Sequence, residues 1–170
     1  MKITQAKAER HVLAITVDNE AGILAKITGL FSARGYNIES LTVADISADH
    51  ALSRITIVTN GPPPVIDQII AQLDRLVPVH HVTDLTEAGA HVERELALVK
   101  VAGTGDKRIE ALRLADVFRA KVVDTTLTSF IFEITGTSEK VDSFVGLMRE
   151  CGLVEVGRTG VVAIARGASA

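Results

Sequence analysis

The chain has no tryptophan, one tyrosine, five phenylalanines and one cysteine. Each scarcity excludes something. With aromatics at 4%, the rings that would stack on single-stranded nucleic acid are missing. Basic residues are not in excess either: 18 Lys and Arg stand against 21 Asp and Glu, a net charge of -3. Phosphate-backbone recognition needs a basic patch, so no nucleic-acid partner is expected. A lone Cys151 permits no internal disulfide and no cysteine-based zinc site. Near the end of a helical stretch, it reads as a small buried hydrophobe. No apolar run approaches the ~20 residues that cross a bilayer. Residues 1–9, with Lys2, Lys7 and Glu9, lack the apolar core of a signal peptide. A soluble, cytoplasmic protein with no membrane partner is the expectation.

What the chain does have is aliphatic. Hydrophobic residues make up 47% of 170, enough for one medium domain or two small ones. His11 to Val17 alternates as a strand does, with Leu13, Ile15 and Val17 on one face and Val12, Ala14 and Thr16 on the other. Asp18, Asn19 and Glu20 supply a turn and a helix start. Ile23, Leu24, Ile27, Leu30 and Phe31 then follow one helical face, and Gly35 suits a left-handed C-terminal position. Strands are predicted over 38–45 and 52–59. Gly61-Pro62-Pro63-Pro64 opens a second helix carrying Ile66, Ile69, Ile70 and Leu73. Pro78 ends it, and a strand covers 79–85. The order is βαββαβ, the ferredoxin-like arrangement.

After a polar connector the order begins again. A strand is predicted over 96–101, and Ala111, Leu114, Ala115 and Phe118 mark a helical face. Strands over 121–126 and 129–136 precede a helix bearing Val141, Phe144, Val145 and Met148, and 153–165 is strand-rich. Ile66-Asp67, Ile69, Ile70 and Leu73 match Val141-Asp142, Phe144, Val145 and Met148 at one constant offset, although helical periodicity alone gives part of that match. The fold class is therefore α+β, with two ferredoxin-like domains. The expected boundaries are a flexible segment 1–9, a first domain 10–86, a connector 87–93 and a second domain 94–170.

One stretch stands out for chemistry. From Val17 to Leu24 a strand ends in a polar turn and a helix opens at Gly22. Backbone N–H groups at such a helix start suit a carboxylate. Asn19 and Asn37 add amides that both donate and accept, and Gly22 permits close approach to the backbone. A free amino acid, anionic at one end and cationic at the other, fits that description. An ordinary helix start has the same pattern, so both readings stand at this point. No nucleophile–base grouping or P-loop accompanies the turn, which points to sensing rather than catalysis. His80 and His81, adjacent on a strand, point to opposite faces and cannot chelate one metal. His11, His50 and His91 show no metal-ligand spacing. Gly103-Thr104-Gly105 is too short for a dinucleotide fingerprint.

The chain closely resembles the small regulatory subunit of acetolactate synthase, also called acetohydroxyacid synthase. The resemblance is carried by Asn19-Glu20-Ala21-Gly22, the run from Leu30 to Leu41, the segment from Gly89 to Leu96, and Arg158-Thr159-Gly160-Val161-Val162. It implies an N-terminal ACT domain that pairs with a second copy, so that two sheets join and valine, or leucine or isoleucine, binds between them. It implies a large catalytic subunit as partner, which this chain activates and makes sensitive to feedback inhibition. Ligand-binding roles fall on Asn19, Gly22 and Asn37, to which Ile23 and Leu24 of the same turn are added. The resemblance places no cofactor on this chain; thiamine diphosphate, Mg and FAD belong to the catalytic partner. Gly105-Asp106 is followed by Lys107, not by the glycine a thiamine-diphosphate site would need. Rival expectations are an ACT-type sensor serving another enzyme, an acylphosphatase-like hydrolase, and an RNA-binding module. The last two lack, respectively, a basic phosphate loop and strand aromatics.

Overall fold

A computed structural model describes residues 7–168. They fall into two compact units, one built from the residues up to Val92 together with those from Val161 onward, the other from Glu93–Gly160.

In the first unit, β1 (Glu9–Asp18), α1 (Ile23–Ala33), β2 (Ser40–Asp45), β3 (Leu52–Gly61), α2 (Pro63–Leu73) and β4 (Val79–Asp84) follow the predicted order. The sheet runs β2-β3-β1-β4, and β1 pairs antiparallel with both of its neighbours. Leu13, Ile15 and Val17 of β1 meet Ile55 and Ile57 of β3, and Ile23, Ile27, Phe31, Ile66, Ile69 and Leu73 of the two helices cover them. This is the face that the alternation in β1 assigns to the core. Two helices on one face of an antiparallel sheet leave the other face bare.

That second face is closed by a short helix at the start of the expected connector and by the end of the stretch 153–165, expected as strand in the second domain. A short helix α3 (Leu85–Ala88) follows β4 directly, and β5 (His91–Ala102) starts soon after it. At the far end of the chain, β9 (Val162–Ala165) returns. Val161 and Ala163 pack with Val12, Ala14, Val58 and Leu85 in a second core cluster. Ser40 Oγ accepts from Val161 N–H at 2.8 Å, Thr42 Oγ1 donates to Val161 O at 3.0 Å, and Arg54 Nη2 donates to Ala163 O at 3.0 Å. The last residues of the expected 94–170 domain therefore belong with the first unit, and much of the expected connector 87–93 is helix and strand. Of the expected segment 1–9, residues 1–6 lie outside the described residues and Glu9 already belongs to β1.

The second unit repeats the plan. After β5 come α4 (Asp106–Val117), β6 (Lys121–Thr125), β7 (Ser129–Gly136), α5 (Ser138–Glu150) and β8 (Leu153–Arg158), in the sheet order β6-β7-β5-β8. Phe130, Phe132 and Ile134 of β7 and Val99 and Val101 of β5 meet Ala111 and Ala115 of α4 and Val141, Phe144 and Met148 of α5. Cys151 closes this core at the C-cap of α5, buried as expected. Thr137 caps the start of α5 with its side chain.

Candidate functional site

The turn between β1 and α1 is fixed by its neighbours. Asp18 N–H donates to Pro78 O and Asn19 N–H to Ala51 O, each at 2.8 Å, so the chain leaving β1 is pinned on both sides. Gly22 precedes the helix with φ 88. A side-chain-bearing residue is strained in that left-handed region, and a glycine is not. A Cβ built on Gly22 would meet nothing within 4 Å, so the space beside it is open. No side chain caps α1; Ile23 N–H turns back to Glu20 O at 3.4 Å, and the next N–H groups, of Leu24 and Ala25, are among those without an intrahelical acceptor. An uncapped helix start beside open space can receive a carboxylate, favoured by the positive end of the helix dipole.

The acidic neighbours of the turn are already paired. Asp18 Oδ1 lies 2.6 Å from His80 Nε2, and Lys26 Nζ donates to Glu20 Oε1 at 3.0 Å. Neither carboxylate competes unpaired with an incoming anion.

Of the five residues expected at the site, Asn19, Gly22, Leu24 and Asn37 are exposed. Ile23 is not. It is 6% exposed, and its side chain belongs to the first core, because helical spacing puts it on the face with Ile27 and Phe31. Only its main chain remains to a ligand. Asn19 Nδ2 donates to His50 O at 2.9 Å. Asn37 sits beyond the other end of α1, where its carbonyl accepts from Thr59 Oγ1 at 2.6 Å. The helix between the two amides has 11 residues, about 16 Å of rise. One chain does not bring them together around a small molecule.

Sequence reasoning reads Ile46 to Ala51 as a polar segment joining two strands and gives it no part at the site, yet carbonyls of this β2–β3 turn hold both the main chain and the side chain of Asn19. The signal was Asp45, Ser47 and Asp49, alternating short polar residues that fold back on their own backbone. Among the described residues, no group of three or more His, Cys, Asp or Glu side chains is placed to hold a metal ion.

The profile described as the small subunit of acetolactate synthase matches residues 94–167, and the AHAS small subunit-like ACT domain matches residues 13–81. The chain belongs to the acetolactate synthase small-subunit family. Among its relatives, the probable acetolactate synthase small subunit of Archaeoglobus fulgidus is 46% identical over 158 residues, covering 93% of this chain and 98% of that one. The acetolactate synthase isozyme 3 small subunit of Escherichia coli is 46% identical over 159 residues, covering 93% and 96%. A crystal structure of the acetolactate synthase small subunit from Thermotoga maritima superimposes with a TM-score of 0.84 at 38% identity, covering 95% of this chain and 99% of that one. Within this family, the first unit corresponds to the ACT domain, and the turn at Asn19 and Gly22 lies inside the matched residues. Among the described residues, no helix is long and apolar enough to cross a membrane.

Proposed function

We propose that this small subunit works in the cytoplasm as the regulatory partner of the acetolactate synthase large subunit, activating it and making it sensitive to valine. Valine, or a related branched-chain amino acid, binds between the ACT domains of two copies, at Asn19, Gly22, Leu24 and the main chain of Ile23 from one copy and Asn37 from the other. The observation that carries this is the open, uncapped start of α1, with the Asn19 amide held beside it. The separation of the two amides supports the second copy. A two-fold axis that pairs two β2 edges antiparallel sets the start of one α1 against the end of the other, and so Asn19 against the partner copy's equivalent of Asn37. In support, β2 is an edge strand with Val43 43% exposed.

The test is a calorimetric titration of L-valine, L-leucine and L-isoleucine into the full chain, alone and with the large subunit. Heat from at least one of them, and loss of large-subunit activity at the same concentration, are the expected results. A folded chain that gives no heat with any of the three would sink the reading. In Gly22→Asp, a carboxylate stands where the ligand's own carboxylate would, so valine inhibition should vanish while activation of the large subunit persists.

A further inference from the structure

We propose that the β2–β3 turn is the positioning element of this site. It sets the Asn19 amide with Oδ1 outward, as an acceptor for the ligand's α-ammonium, so that the site separates an amino acid from the 2-oxo acid of the same skeleton. This deepens the reading above and rests on it. The orientation of the amide follows from its partner. His50 offers a carbonyl oxygen at 2.9 Å, which can only accept, so the Asn19 atom facing it is the NH2 group. With Nδ2 committed, the other end of the planar amide is an oxygen. An oxygen acceptor welcomes an ammonium and gives nothing to the keto oxygen that replaces it in the oxo acid. The carboxylate common to both compounds falls to the N–H groups of α1.

The turn is built to hold those carbonyls in place. His50 has φ 59, a left-handed conformation uncommon for a residue with a side chain. Its Nδ1 contacts the Asp45 carboxylate, which ties that conformation to the end of β2. Asp45 Oδ1 accepts from Ser47 N–H at 3.3 Å and Ser47 Oγ from Leu52 N–H at 2.9 Å. Asp49 Oδ1 accepts from Ala51 N–H at 3.2 Å, and His50 N–H donates to Ser47 O at 3.1 Å. Asp45 and His50 act through Asn19 and need not touch the ligand. They are positioning residues.

The full chain is titrated calorimetrically with L-valine and with 3-methyl-2-oxobutanoate, the 2-oxo acid of the same carbon skeleton. L-valine is expected to bind at least about tenfold more tightly. Asn19→Ala should remove most of that preference by weakening valine about tenfold while leaving the oxo acid unchanged. Asp45→Ala should weaken valine about three- to tenfold, again without changing the oxo acid. The double variant Asp45→Ala with His50→Gly should recover most of the loss, because glycine adopts φ 59 without an anchor and keeps the carbonyl. That recovery is one that a merely structural effect of Asp45 would not give.

Equal weakening of both compounds in Asn19→Ala overturns the proposal, and so does wild-type affinity in Asp45→Ala. Either leaves the site reading intact. A wild-type chain that binds neither compound overturns the site reading itself, and this proposal with it.

Discussion

At the scale of single residues, Asp84 has more depending on it than its place at the end of β4 suggests. His11 is 1% exposed, and its Nδ1 lies 2.7 Å from Asp84 Oδ2. The other oxygen, Oδ1, accepts from Thr86 N–H at 2.9 Å and so caps α3, while Thr86 Oγ1 accepts from Val12 N–H at 3.1 Å. One carboxylate thus joins the first strand to the short helix on the far face of the sheet. His11 Nε2 is buried without a partner. A carboxylate can only accept, so Nδ1 is the ring nitrogen that carries a proton toward Asp84. Asp84→Ala removes the cap and strands the histidine, so urea denaturation should show a loss of about 2–4 kcal/mol. Asp84→Asn keeps a capping oxygen and should lose less. Gly152 is the other critical residue. It has φ +99, and a Cβ there would lie 2.2 Å from Ala102 O. The clash is with backbone and cannot relax through a rotamer, so Gly152→Ala should cost about 3 kcal/mol or more. Cys151 provides the readout. Burial pushes its thiol above the ordinary range, so a thiol reagent should modify it only when the second core opens, and markedly faster in this variant.

At the scale of elements, the helices and long strands were legible because each has one apolar face at the right period. Ile66, Ile69 and Leu73 on α2 and Val141, Phe144 and Met148 on α5 are buried as their spacing requires. The destination of β9 was not legible. Val162 to Ala165 alternates like any edge strand, and nothing in that pattern names the sheet it will cover. The need for a cover was visible in part: Val12, Ala14 and Val58 are apolar on the face that the two helices leave bare. Polar side chains on that face complete the argument, since Ser40 and Thr42 take both main-chain groups of Val161. Thr42→Val keeps the shape and leaves Val161 O without its donor, a loss of about 1–2 kcal/mol. Truncation after Gly160 also uncovers Val12 and Val58, and about 3 kcal/mol or more should go. Tyr36, the only tyrosine, packs edge-on to Phe31 at 6.2 Å in the first core and reports the change. Its fluorescence transition should move to lower urea in both variants, further in the truncation.

At the scale of the whole molecule, the repeat was legible and the completed site was not, for one physical reason. The orders β2-β3-β1-β4 and β6-β7-β5-β8 follow from patterns inside one chain. The proposed site, shared between chains, would leave only fragments in each: an amide before α1, another after it, and a helix of 11 residues keeping them apart. Such sharing has a thermodynamic consequence that a self-contained pocket lacks. If valine binds only where two copies meet, its affinity and the dimer's affinity are linked, and each must raise the other by the same factor. Sedimentation of the chain at falling concentration should therefore show dimer persisting to lower concentration with L-valine than without, by the factor that calorimetry gives for the reciprocal effect. Val43, exposed on the β2 edge, offers the control. Val43→Asp places a charge on each side of the two-fold, where the two copies repel. It should dissociate the dimer and weaken valine together, and at concentrations where the wild type is itself monomeric its Tyr36 transition should lie within about 0.5 kcal/mol of wild type. A variant that is monomeric yet binds valine with unchanged affinity would place the entire site within one chain. It would then assign Asn37 to some other task.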